Sequence, residues 1–214
     1  MRGGTSRDGG GAEGRDDPER DLCAALIRAV GRDGYENITV PGLLEEAGAP
    51  RASFYEHFGS LDECFRAAYQ GQTRLLYEEM LQAGGSGVNW AQGFCDALRV
   101  LLEFVAEQPV VARALLVASV SPGSPVAEIH DSVLQRLARA LDSARRQPGS
   151  RHSAPPLTAD LMVGAITNTL HGLLVKGESA RAPSLLGDYT YLVILAYFDE
   201  EAAFEAMDRV EDEA

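Results

Sequence analysis

From Leu22 onward, apolar residues recur at three- and four-residue intervals and nowhere alternate over a strand-length run. That spacing leaves helices as the available elements, so an all-α fold is expected. The punctuation agrees. Asp17 can cap a helix that opens on Pro18, presents Leu22, Ala25, Leu26, Ala29 and Val30 on one face, and stops at Gly34. Thr39 caps a short second helix with Pro41 in its first turn, Leu43, Leu44 and Ala47 on its buried side, and Gly48 at its end. A third short helix is expected from Pro50 to Phe58, broken by Gly59. Ser60 caps a fourth, Glu63 completes a capping box, and the helix runs to about Leu81. The stretch "AGGSGVNW" reads as a loop. Helices near 89–107, 109–119, 124–147, 158–177 and 184–208 follow, separated by "SPGSP", "QPGSRHSAPP" and "ARAPS".

This layout divides into a tail, 1–17, with almost nothing to bury and hence expected disorder, a three-helix unit, 18–60, and a larger helical body, 61–214. Hydrophobic residues make up 45% of the chain, enough for a real core. No stretch is long and apolar enough to span a bilayer, and the first twenty residues lack the apolar run of a signal peptide. A soluble, cytoplasmic protein without a membrane partner is expected. Cys23, Cys64 and Cys95 are an odd number, far apart and without C-x-x-C spacing. That pattern argues against a disulfide framework or a zinc site and for three small buried apolar residues. His57, His130, His152 and His171 are too scattered for a metal centre, and His152 falls in a Pro/Ser-rich, solvated loop. Neither metal nor cofactor is expected.

The segment "GAPRASFYEHFGSLDE", Gly48 to Glu63, carries the chemistry. Two short helices joined by "AGAP" have the geometry of a helix-turn-helix, whose second helix enters the DNA major groove. Phe54 and Phe58, four apart, can lock that helix inward. Arg51, Ala52, Ser53, Tyr55 and His57 are then left on or beside its outer face, headed by Thr39 at the preceding cap. Arginine can pair with guanine, while serine, tyrosine and histidine reach phosphate oxygens. The charge balance opposes an indiscriminate DNA binder. The chain carries a formal −13, and residues 19–70 hold 5 basic against 9 acidic groups. Double-stranded DNA must therefore meet a locally arranged surface.

Gly34-Tyr35, Thr39, Ala47-Gly48, Ser53-Phe54-Tyr55 and Phe58-Gly59-Ser60 resemble, step by step, the DNA-binding domain of the TetR family of bacterial repressors. The likeness covers about fifty residues, 19–70, and "YLVILAYFDEEAA" resembles the final helix of many members. The resemblance implies a homodimer built by the last two helices of each subunit, and a small-molecule pocket in the body. One departure stands out. Members usually carry lysine just after the Ser/Asn that opens helix four, where it meets a phosphate; here the residue is Leu61. Loss of that cation predicts weaker non-specific DNA binding and a flatter salt dependence.

In the body, "LMVGAITNTLHGLLV" embeds Thr167, Asn168, Thr169 and His171 in an apolar segment, and buried polar groups need partners: a ligand, a water or the second subunit. Trp90, Phe94, Leu101 and Phe104 recur at helical spacing as a pocket wall or as ordinary core. The expected pocket set is Trp90, Phe94, Phe104, Asn168 and His171, for a small hydrophobic ligand, aromatic or cationic. Surplus apolar residues on the last helices, Leu170, Leu174, Tyr191, Leu195 and Phe198, nominate a dimer interface. His130-Asp131 with Ser121 and Ser124 is not a hydrolase triad. Neighbouring helical side chains diverge by about 100°, so a surface His-Asp is expected and no catalytic residue is assigned. Two functions follow: a ligand-responsive transcriptional regulator, and a module of the same fold that binds a ligand or a protein with weakened DNA binding.

Overall fold

The first two helices of the N-terminal unit begin and end where their sequence nominates, and the third lies one residue inside its expected ends. In this computed structural model, which describes residues 17–151 and 154–212, the Asp17 carboxylate accepts from the Arg20 amide at the start of α1 (Pro18–Asp33). The tail up to residue 16 and His152 lie outside the described residues. Gly34 ends α1 at φ 83°, a region that favours glycine. The Thr39 hydroxyl accepts from Gly42 N at 3.3 Å to open α2 (Val40–Ala47), and Gly48 closes α2 in the left-handed region. After the turn, α3 (Arg51–His57) seats Phe54 fully buried against α1 and α2, a burial worth about 1.5–3 kcal/mol.

The Ser60 hydroxyl accepts from Glu63 N at 3.1 Å to open α4 (Leu61–Gly85), and the Glu63 carboxylate reaches back to Gly59 N at 2.9 Å. Tyr35 stacks on Phe65 at 4.9 Å and donates to Asp62, so the turn after α1 is fastened to α4. That contact gives the Gly34-Tyr35 step its structural purpose. Leu61 is half-buried and packs on the core of this unit.

The body continues with α5 (Trp90–Glu107), α6 (Pro109–Leu116), α7 (Ala127–Leu141), α8 (Thr158–Lys176), α9 (Leu186–Tyr197) and α10 (Glu200–Asp212). Among the described residues there is no strand, and no helix is long and apolar enough to cross a membrane. Three of the departures from the expected boundaries matter most. First, α4 runs through Gly84-Gly85 instead of stopping at a glycine loop. Glycine is needed there for proximity: a Cβ on Gly93 of α5 would sit 2.3 Å from the Gly84 carbonyl oxygen. Second, the expected 124–147 helix is α7 followed by a tight 3-10 turn over Asp142–Arg146. Arg145 holds that turn by bonding Asp142 at 2.6 Å and the carbonyls of Ala154 and Pro155. Third, the expected 184–208 helix breaks at extended Phe198. Asp199 then caps the next turn, accepting from Ala202 N at 2.9 Å, which separates α9 from α10.

Candidate functional site

On α3, Arg51, Ala52, Tyr55 and His57 are exposed together, with Thr39 exposed at the head of α2. Tyr55 is half exposed, edge-on to Phe54 at 5.3 Å, and the Arg51 guanidinium lies over its ring at 5.5 Å. The pair thus places a cation and a phenol side by side at the start of the helix. Ser53 corrects the sequence expectation. It is buried, because the turn that sends Phe54 and Phe58 inward carries position 53 with them. His57 faces outward, but its Nδ1 is 3.7 Å from the Glu19 carboxylate on α1.

In the body, α4, α5, α7 and α8 enclose a cavity of about 430 Å³. Trp90 and Phe94 lie in its wall, stacked at 5.6 Å and 7°. The end of α4 contributes Met80, Leu81 and Gly84, and α8 contributes Val163, Ile166 and Thr167. Its polar side chains are few. The Trp90 indole N–H donates to Ser143 Oγ at 3.0 Å, and the Thr167 hydroxyl donates to the Val163 carbonyl at 2.9 Å. Among the described lining residues none carries a charge.

Asn168 and His171 do not line this cavity, correcting their assignment. Asn168 is exposed on the outward side of α8, about 100° around the helix from Thr167. The polar cluster was visible in the sequence; which member faces inward was set by how α8 packs. Phe104 lines a smaller space of about 60 Å³ that shares Met80, Leu101, Leu137 and Thr167 with the main cavity.

That smaller space holds a pair that sequence reasoning missed. His130 is buried, not on the surface, and its Nδ1 is 2.8 Å from the Tyr69 hydroxyl, itself 3.2 Å from the Leu115 carbonyl. Burial pushes the His130 imidazole below its ordinary pKa, against a smaller opposing pull from exposed Asp131, and pushes the Tyr69 phenol up. No spacing rule links residues so far apart in the chain.

The nominated interface residues divide. Leu170 and Leu174 are buried in the protomer's own core beside Leu98 and Leu102, so they are not interface residues. Tyr191, Leu195 and Phe198 are half-buried between α9 and α10. The apolar side chains left exposed on the last helices are Leu161 and Val175 on α8, Leu192 on α9 and Phe204 on α10.

The sequence pattern of the bacterial regulatory proteins, tetR family, matches residues 22–68. No curated protein matches this chain in sequence. Among solved structures, the fatty acid degradation regulator FadR from Bacillus halodurans is similar at TM-score 0.75 and 11% identity, over 85% of this chain and 97% of that one. A SmeT–triclosan complex is similar at TM-score 0.72 and 17% identity, over 86% and 93%; SmeT is the repressor of the Stenotrophomonas maltophilia multidrug efflux pump SmeDEF. A TetR family transcription regulator from Marinobacter aquaeolei VT8 is similar at TM-score 0.65 and 16% identity, over 85% and 96%. Residues 22–68 thus carry the sequence pattern of the bacterial regulatory proteins, tetR family, and the all-α architecture over most of the chain is the fold of these solved regulators.

Proposed function

We propose that this chain is a transcriptional repressor that binds operator DNA as a homodimer and releases it when an uncharged, largely apolar small molecule enters the α4–α5–α7–α8 cavity. Residues 18–60 would form the DNA-binding domain and 61–214 the regulatory and dimerisation domain, in a cytoplasmic, non-enzymatic protein. The observation that carries the reading is the continuity of α4. Its first turn is capped at Ser60, directly after α3, and its last turns line the cavity with Met80, Leu81 and Gly84. Twenty-five helical residues span roughly 37 Å, so an occupant that moves the far end of α4 also moves the recognition helix. The uncharged wall supports an apolar ligand, and the SmeT neighbour in complex with triclosan is consistent with one. Whatever ligand weakens DNA binding must itself be weakened by DNA to the same factor.

The test is a mobility shift with the DNA upstream of the chain's own gene, followed by titration with apolar compounds. Dimeric binding reversed by such a compound is expected. A second reading, the same fold as a ligand-binding or protein-interaction module with weakened DNA binding, is favoured by inward-packed Leu61 and by Glu19 beside His57. Ligand binding without any operator shift would select it.

A further inference from the structure

We propose that Cys23 and Cys64 form a peroxide-sensitive thiol pair, in which Cys23 is attacked and Cys64 resolves it to a disulfide tying α1 to α4. Forty residues of sequence separate them, yet both join the hydrophobic core of the N-terminal unit from helices packed on one another. Both are free thiols of that one cluster, and each is the strongest single influence on the other's titration. The two are not equivalent. Cys64 is fully buried, whereas Cys23 is only partly buried. Cys23 is therefore the sulfur a small oxidant meets first.

The electrostatics give the same order. The neighbouring Cys64 thiol draws the Cys23 pKa below its ordinary value, against burial and the Glu19 and Asp17 carboxylates, which push it up. Cys64 is held well above the ordinary range by Cys23 and by burial. Reactive cysteines are those with thiolate character and access, and here both belong to Cys23.

The chemistry balances with hydrogen peroxide as oxidant. The Cys23 thiolate attacks one peroxide oxygen, an S–O bond forms, the O–O bond breaks, and hydroxide leaves and takes the proton as water. Cys64 sulfur then attacks the Cys23 sulfenic acid. An S–S bond forms, the S–O bond breaks, and the departing hydroxide takes the Cys64 proton as a second water. Two thiols are oxidised and one peroxide is reduced to two waters. The link would join α1 to the helix whose other end lines the apolar cavity. The proposal rests on the thiol pair alone and stands whether or not the chain binds DNA.

The test treats the full chain with hydrogen peroxide and maps cysteine peptides without reduction. A Cys23–Cys64 linked peptide, loss of two of three free thiols, and recovery of both with dithiothreitol are expected. The Cys95→Ser variant should form the same link. In Cys64→Ser, dimedone should trap a sulfenic acid at Cys23. A wild-type map in which Cys95 reacts first, or in which Cys23 is oxidised without linking to Cys64, would overturn the proposal.

Discussion

Arg113 on α6 donates from Nε to the Gly31 carbonyl at 3.1 Å and from Nη1 to the Leu174 carbonyl at 2.7 Å. One guanidinium thus fastens the last turn of α1, in the N-terminal unit, to the last turn of α8. Carbonyls at helix C-termini sit at the negative end of the helix dipole and have acceptor capacity to spare, even where a cap supplies one donor as Gly177 N does for Leu174, so a fixed cation suits both. Gly31 is what permits the approach: a Cβ there would lie 1.8 Å from the Val110 carbonyl oxygen.

Arg113→Ala should lower unfolding free energy by about 1.5–3 kcal/mol, the range for hydrogen bonds to a charged donor. Arg113→Lys should recover only part, since one ammonium cannot copy a two-pronged fork. Gly31→Ala should destabilise despite alanine's helix preference of about 1 kcal/mol. Urea midpoints measure all three, and an unchanged midpoint for Gly31→Ala would show that α1 and α6 are not in backbone contact.

If α3 reads operator DNA as proposed, Arg51→Ala should relax base preference at one position per half-site, costing about 1–3 kcal/mol there. Tyr55→Phe should weaken all sequences alike, because a phosphate contact carries no base information. Footprinting over an operator and its single-base variants separates the two effects.

Trp90 is the chain's one tryptophan and stacks on Phe94 in the cavity wall. An apolar ligand should change its emission on binding. Phe94→Ala should reduce that ligand's affinity roughly tenfold, equivalent to about 1.4 kcal/mol and typical of a lost aromatic contact. A compound that releases DNA yet leaves Trp90 emission untouched and binds Phe94→Ala normally would place the site elsewhere.

Burial keeps His130 neutral beside Tyr69, so its folded pKa lies below the unfolded value of about 6.5. Below that value the unfolded chain binds a proton that the native chain takes up only at lower pH. The contribution is therefore complete above the unfolded pKa and is lost as pH falls through the folded one. His130→Gln keeps an acceptor for Tyr69 and should flatten this part of the stability profile. Denaturation midpoints across mildly acidic pH check the slope.

Leu161 on α8 and Leu192 on α9 are exposed, so changing them leaves the protomer core alone. In a dimer packed through these helices, Leu161→Glu or Leu192→Glu should weaken association by about 2 kcal/mol or more. Light scattering should then report monomers with unchanged helicity by circular dichroism. A wild type already monomeric at micromolar concentration would rule the interface out.

The sequence by itself determined the helices, the helix-turn-helix and the inward aromatics of α3. These depend on local rules: Asp17, Thr39 and Ser60 cap with side chains three residues from their donors, and Gly34 and Gly48 supply stops at positive φ. The tertiary structure decided the rest, because it turns on which face a helix buries against partners far away in sequence. Spacing marked the Thr167–Asn168 cluster but not which residue would face the cavity, and Leu170 and Leu174 looked like surplus until α5 covered them. Only packing joined Cys23 to Cys64, Tyr69 to His130, and Arg113 to carbonyls on two other helices. Contacts of that kind form where helices cross, and a helix's own periodicity does not specify what crosses it.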